Sequence, residues 1–157
     1  MSIGLTDLTA VVAQLHYVTE IASRLDQISP LWSKYQQEIA EQTGLARDAE
    51  LLCELRLALT EGLTNAIVHA HCEDGRPMRV ELHVGPKQIE FDIFDTGPGF
   101  RFETKTDCPN PYAESGRGMF LVQAFVDDVA YENCDGTNVL RLRRHIADPH
   151  PQGQAAS

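Results

Sequence analysis

Ile89-Glu90-Phe91-Asp92-Ile93-Phe94-Asp95-Thr96-Gly97-Pro98-Gly99 is the stretch on which the fold turns. Ile89, Phe91 and Ile93 alternate with Glu90 and Asp92, the two-residue period of a strand with one face buried. One more step of the alternation puts Asp95 on the buried side with Ile93. A carboxylate aimed inward at a strand end needs a hydrogen-bond donor or a charge partner. Thr96-Gly97-Pro98-Gly99 follows at once, with glycines that permit positive φ and let a ligand approach the backbone closely. A tight turn with a solvent-exposed Asp is the plain alternative, and the motif alone leaves both open.

Working outward, Val80, Leu82 and Val84 also alternate, and Gly85-Pro86-Lys87 turns the chain between the two strands. Downstream, residues 96–115 are rich in Pro, Gly and polar side chains, long for a connection inside a compact domain and typical of a lid or a disordered segment. A short apolar helix opens at residues 116–118 and runs to about Phe125, and two last strands, 129–133 and 139–143, flank the hairpin signal Asp135-Gly136. Upstream, Leu15, Tyr17, Thr19 and Ile21 share one side of a strand, whereas residues 1–14 fit a strand or a helix equally. Ser29-Pro30 reads as an N-cap and first helical position of a helix ending at Thr43 before Gly44. Asp48 reads as the N-cap of a second helix that reaches about Cys72 and breaks at Glu73-Asp74-Gly75. The pattern predicts an α+β two-layer sandwich, a mostly antiparallel sheet covered on one face by helices. It forms a single domain over residues 1–147, followed by a disordered tail at 148–157.

On the second helix Leu52, Leu55, Leu59, Leu63, Ala66 and Ala70 form the core stripe. Glu61 lies opposite, with Asn65 one turn later and His69 two turns later, yet Leu57 and Val68 flank it, so the polar side is half apolar. A helix apolar nearly all round is buried on more than one side. Glu61 and Asn65 then form a polar ladder in a semi-enclosed place, where an ionised carboxylate costs several kcal/mol unless compensated. From this helix alone, simple exposure to solvent fits equally well.

Ser115-Gly116-Arg117-Gly118 places free amides before an apolar helix. Unpaired N–H groups, the helix dipole and Arg117 would together suit an anion. No GxxxxGK[ST] pattern occurs, which excludes a P-loop enzyme, and no GxGxxG fingerprint occurs either.

Bulk composition narrows the classes. A chain of 157 residues, 43% hydrophobic and 23% charged, suits one soluble domain with a substantial core. A net charge of -10 argues against a nucleic-acid partner. The sequence has no run of about 20 apolar residues for a membrane span and no secretory signal at its start, so a cytoplasmic protein is expected. Cys53, Cys72, Cys108 and Cys134 show no paired spacing and read as free thiols.

In chain order, Glu61-x-x-x-Asn65, Asp95-x-Gly97-x-Gly99 and Gly116-x-Gly118 resemble the three boxes of the ATPase superfamily of gyrase, histidine kinases and the mismatch-repair protein MutL. More narrowly, residues 58–71, 95–100 and 115–131 look like the RsbW and SpoIIAB group of anti-sigma serine kinases. The resemblance covers about 48–143 and implies a Bergerat-type ATP-binding fold. It assigns Glu61 as general base toward a Ser or Thr hydroxyl, Asn65 as ligand of Mg²⁺ on the phosphates, and Asp95 as acceptor for the adenine amino group. Gly97 and Gly99 line the nucleotide, residues 101–115 form the ATP lid, and Ser115, Gly116, Arg117, Gly118 and Met119 hold phosphate. Thr137 matches a family threonine near the adenine. The N-terminal portion, before about Leu45, fits the group only loosely, and the lid matches no pattern of the group.

The resemblance implies a Mg-ATP-dependent protein serine/threonine kinase that phosphorylates a STAS-type anti-anti-sigma partner and sequesters a sigma factor, and it implies a homodimer. An ATP-gated binding module without phosphotransfer is the alternative; retention of Glu61 favours the kinase. His69, His71 and Cys72 could form a metal cluster but lack an evident fourth ligand, and packing or exposure accounts for them. Trp32 and Tyr35 are expected in the core or against a dimer partner, and Arg141, Arg143 and Arg144 on a solvated strand face.

Overall fold

The structure, a computed structural model, describes residues 15–98 and 114–146, the side chains of 114–117 excepted. The expected termini, the boundary at 147 and most of the long loop therefore lie outside the described residues. Five strands, β1 (Leu15–Ala22), β2 (Pro77–Val84), β3 (Gln88–Asp95), β4 (Asp128–Cys134) and β5 (Thr137–His145), build one antiparallel sheet. Its order is β1-β2-β3-β5-β4. Helices α1 (Ile28–Thr43), α2 (Glu50–Thr64) and α3 (Glu114–Phe125) pack their apolar residues with one face of it in a common core. This is the α+β sandwich expected from the alternation.

Register explains why one end of the sheet becomes a site. Tyr17, Leu82, Phe91, Leu142 and Val129 align as one row across all five strands. Thr19, Val80, Ile93, Leu140 and Tyr131 form the next row. Both rows face the helices, and their central members are fully buried or nearly so. The row after these stays apolar on β1 and β2, at Ile21 and Met78, but turns polar across the other three strands, with Asp95 opposite Asn138 and Asn138 opposite Asn133. A sheet whose buried face turns polar at one end must satisfy those groups there.

Three local features hold the layers together. Tyr35 on α1 is fully buried, stacks on Phe91 and donates its hydroxyl to Val80 O at 3.1 Å; burial pushes its pKa up to about 12. Gly62 lets α2 approach the sheet, because a Cβ there would stand 2.8 Å from Ile93 Cδ1 and 3.2 Å from Leu140 Cδ2. At the β4–β5 turn, Asp135 and Gly136 both adopt positive φ (52° and 84°), as a two-residue turn between twisted strands requires.

Helix ends depart from expectation at the N-termini. A short 3₁₀ turn, Leu25–Gln27, precedes α1, so Ser29 and Pro30 lie inside its first turn rather than at the cap. Proline is tolerated there because first-turn N–H groups lack intrahelical partners. Ala49, not Asp48, precedes α2, and it makes no side-chain capping bond. Gly44 does end α1 in the left-handed conformation, its N–H reaching Ala40 O at 2.9 Å. Arg144 also differs from expectation. It does not join Arg141 and Arg143 on the open face but donates from the helix side to Glu54 Oε2 and Phe125 O, each at 2.6 Å, tying β5 to α2 and to the end of α3.

Candidate active site

Helix α2 does not stop at Thr64. It continues as a π-helical segment, Asn65–Ala70, whose wider turn is sealed by His71 N–H to Ala66 O at 3.0 Å. A π segment rotates the side chains that follow it relative to an α-helical wheel. The result buries Asn65, Ala66 and Ile67 in succession and leaves His69 exposed. Asn65 is only 9% exposed, while Glu61, one turn earlier, is half-buried.

The start of α3 closes over this ladder. A Cβ on Gly118 would stand 2.9 Å from Glu61 Oε2 and 3.7 and 3.8 Å from Asn65 Oδ1 and Nδ2. The first and third sequence boxes are thus in contact, and only a residue without a side chain leaves that space to a ligand. Among the described residues neither Glu61 nor Asn65 has a side-chain hydrogen bond or ion pair. Their polar atoms are not sealed off, since among the described residues no fully buried side-chain polar atom lacks a partner, and they stay open to a ligand. Ser115, Gly116 and Arg117 lie in the first turn of α3, one turn deeper in the helix than the sequence pattern places them, and Met119 is half-buried just beyond.

Asp95 ends β3 on the helix side, 5% exposed. Its Oδ1 accepts from Gly97 N–H at 3.0 Å and from Asn138 Nδ2 at 2.8 Å. Both donors are neutral and both reach the same oxygen, which leaves Oδ2 without a donor among the described residues. Asn138 is held in turn, donating also to Gly97 O at 2.9 Å and accepting from Asn133 Nδ2 at 2.7 Å. Gly97 serves close approach rather than positive φ. A Cβ there would fall 2.6 Å from both Cβ and O of Ala70, so the end of the π segment rests on the loop backbone.

His71 fixes the same loop from behind. Ser23 donates its hydroxyl to Arg76 O at 2.7 Å, so it accepts from His71 Nδ1–H, also at 2.7 Å. The other ring nitrogen, Nε2, accepts from Thr96 N–H at 2.9 Å. This chain of bonds specifies a neutral imidazole with its proton on Nδ1. Burial, reinforced by Arg76, holds the His71 pKa below its ordinary value. His71 is therefore an internal bracket between β1, the helix end and the site loop. It does not join His69 and Cys72, which are exposed, in a metal cluster.

The structure brings together Glu61, Asn65 and Gly118 on one side and Asp95 with Gly97 on the other, with the π segment running between them. Gly99 lies outside the described residues, as do residues 101–113 of the lid expected at 101–115, whose last two residues instead begin α3. Thr137 opens β5 opposite Cys134, and the strand alternation turns it to the other side from Asp95. Asn138 occupies the place beside Asp95. Sequence reading missed it, although the alternation of Leu140 and Leu142 pointed to it as a polar residue on the buried face. The reading also missed His71 as a bracket, for which no local signal exists.

Comparison with known proteins agrees with this geometry. A family model described as "Histidine kinase-like ATPase domain" matches residues 21–144. The protein named Serine-protein kinase RsbW from Listeria innocua is 30% identical over 130 residues, 76% of this chain and 80% of its own. The protein of the same name from Bacillus subtilis is 29% identical over 111 residues, 64% of this chain and 68% of its own. Among solved structures, that of the RsbU and RsbW domains of Rv1364c from Mycobacterium tuberculosis superposes with a TM-score of 0.58 at 14% identity. It covers 83% of this chain, which spans 32% of that longer one, and it speaks for the fold. A matched model over most of the chain, the three converging boxes and these relatives together show that the chain belongs to the histidine kinase-like ATPase domain family, among its RsbW-like members.

Proposed function

We propose that the chain binds Mg-ATP between α2, the π segment and the loop after β3, and passes the γ-phosphoryl group to a serine or threonine of a STAS-type anti-anti-sigma protein. The observation that carries this reading is the Glu61–Asn65–Gly118 cluster, in which a half-buried carboxylate and a buried amide meet a glycine backbone and no protein partner among the described residues. Asp95 Oδ2 would accept the adenine amino group, with Asn138 and Gly97 N–H holding the carboxylate in place. The backbone at Gly116, Gly118 and Met119, with Ser115 and Arg117, would carry the phosphates at the start of α3. Gly99 would border the nucleotide, and Asn138 rather than Thr137 would stand beside the adenine acceptor.

Mg²⁺ prefers oxygen ligands and keeps waters and phosphate oxygens in its shell, so the Asn65 amide oxygen is a fitting protein ligand. When bound, the ion would neutralise charge on the phosphates. Glu61 would take the proton of the substrate hydroxyl as its oxygen bonds to the γ-phosphorus and ADP departs. Catalysis of this kind is chiefly positioning, with a general base adding on the order of 10²–10⁴ in rate. A cytoplasmic homodimer that sequesters a sigma factor completes the partner-switching reading, whose support is the RsbW relatives.

Transfer from γ-labelled ATP to each STAS-domain protein of the same genome tests the proposal, with wild type and Glu61→Gln side by side and nucleotide binding measured for both. Label on one partner with wild type only, at equal ATP binding, is the expected result. ATP binding without label on any partner would leave an ATP-gated binding module instead.

A further inference from the structure

The face of the sheet away from the helices carries a second constellation that ATP chemistry does not use. His16 on β1 lies opposite His83 on β2, and Glu81 follows the same side of β2 two residues earlier. The two imidazoles stack with centroids 4.2 Å apart and planes 16° apart. Both present Nε2 to one atom, Glu81 Oε2, each at 3.2 Å. All three ligand-type atoms lie within 4.8 Å of one another.

We propose that His16, Glu81 and His83 form a binding site for one divalent transition-metal ion of the Zn²⁺, Ni²⁺ or Cu²⁺ class. The spacing carries the argument. Ligands at about 2.0–2.1 Å in a tetrahedron stand about 3.3–3.4 Å apart, which is close to the separation of each imidazole nitrogen from the carboxylate oxygen. The ligand set of two imidazoles and one carboxylate suits those ions and not Mg²⁺, which takes oxygens. Uptake here is therefore separable from the nucleotide site, which lies on the opposite face of the sheet.

Neighbouring groups shape the site. Arg79 Nε engages the other oxygen, Glu81 Oε1, at 3.3 Å, and its guanidinium lies 4.0 Å over the Phe94 ring. Glu81 is thus oriented with Oε2 turned to the imidazoles, the kind of supporting contact that metal ligands use. Asp92 Oδ2 stands 3.4 Å from His83 Nε2, while its Oδ1 pairs with Arg141 at 3.0 Å. Asp92 Oδ2 or a solvent oxygen would complete the tetrahedron. Salt bridging accounts for Glu90 and Asp92 with Arg141 and Arg143 along the same face. Glu81 Oε2 likewise pairs with both imidazoles, and a bound ion would take the place of the protons between them. An ion there would staple the edge strand β1 to β2.

The test is calorimetric titration of the full chain with Zn²⁺ in the absence of nucleotide, alongside His16→Ala, His83→Ala and Glu81→Gln. One equivalent is expected for wild type. Each variant should weaken it by at least about tenfold, since loss of a ligand costs no less than loss of its supporting hydrogen bond. His16 and His83 are not in the core, and an unchanged metal-free melting transition would show that the variants fold. A second readout is Co²⁺, which should give the intense visible absorption of a tetrahedral site in wild type and lose it in both histidine variants. The exposed thiols Cys53, Cys72 and Cys134 could hold Zn²⁺ themselves, and such binding would persist in the histidine variants. Unchanged isotherms in His16→Ala and His83→Ala, or no uptake by wild type, would overturn the proposal.

Discussion

Asp92 and Asp95 sit three residues apart on β3, 4% and 5% exposed, and they face opposite sides of the sheet. Asp92 meets a cation, Arg141 Nε at 3.0 Å, with His83 Nε2 at 3.4 Å beyond it. Even so, burial outweighs Arg141 and holds its carboxyl above the ordinary range. Asp95 meets only neutral donors, both on one oxygen. A buried carboxylate already matched by charge is part of the scaffold. One steadied by amides and left with a spare acceptor is prepared for a ligand that brings its own donor.

Exchanging each carboxylate for its amide puts that distinction at most risk. Asp95→Asn keeps the shape but offers a poorer acceptor to the adenine amino group. A hydrogen bond to a charged group contributes about 1.5–3 kcal/mol, so ATP affinity should fall roughly 10- to 150-fold. Asp92→Asn should leave ATP affinity unchanged but lower unfolding free energy by about 1–3 kcal/mol, because removing one partner of a buried pair leaves the other charge uncompensated, a loss softened here by Glu90, which also pairs with Arg141 at 3.3 Å. Calorimetric ATP titration and urea unfolding of both variants decide it. Equal losses of affinity would erase the difference between the two faces.

Glycines sharpen the comparison at the next scale. Gly97→Ala drives a Cβ into Ala70, two of whose three nearest atoms there are backbone, at 2.6 and 2.7 Å. Neither side can yield without moving the π segment or the Asp95 loop. A loss of about 1–3 kcal/mol in urea unfolding is expected, with weaker ATP binding. Gly62→Ala meets the ends of Ile93, Leu140 and Leu142 instead. Those side chains can shift, and alanine gains up to about 1 kcal/mol of helix propensity, so the net change should be much smaller. If the two substitutions cost the same, the site loop is no tighter than the ordinary core.

How much of this could be read in advance follows from the range of each interaction. Strand faces are written at a period of two, so Ile89 to Ile93 announced the buried side and made an inward Asp95 one of two readings, which its 5% exposure decides. The hairpin at Asp135-Gly136 and the stop at Gly44 were legible because the backbone conformation there selects the residue. The same alternation placed Asn138 inward, but a single amide carries no motif and was passed over. Helix starts were less legible, since Ala49 and Gln27 serve as caps without a side-chain bond and tertiary packing sets the boundary instead. The π segment left no mark in the sequence: a wheel drawn at 3.6 residues per turn cannot show where the pitch widens. His71 was equally hidden, because its partners Ser23 and Thr96 lie 48 and 25 residues away.

That histidine gives the smallest and most specific expectation. Protonating Nε2 would set a donor against the Thr96 N–H that now donates to it, and the loop holding Asp95 would lose its anchor. The groups facing the ring are Ser23 just after β1, Asp74 and Arg76 from the turn before β2, Asp95 at the end of β3 and Thr96 just after it. Burial and Arg76 lower the folded pKa, while Asp95 and Asp74 oppose them. The sign follows from linkage. The unfolded imidazole takes its proton near 6.5, whereas the folded one resists until the pH is lower. Stability is therefore complete above the unfolded value, falls as the pH drops below it, and levels off once the folded ring is also protonated. The slope cannot exceed about 1.4 kcal/mol per pH unit for one proton. Urea unfolding of wild type and His71→Gln, from neutral pH down to about 5, isolates this contribution, because glutamine cannot titrate. The difference between the two proteins should narrow toward acid, with wild-type ATP affinity declining in step. A difference that stays constant with pH would mean that the bracket does not depend on a neutral ring, and the loop behind Asp95 would have to be held by Asn138 and Gly97 alone.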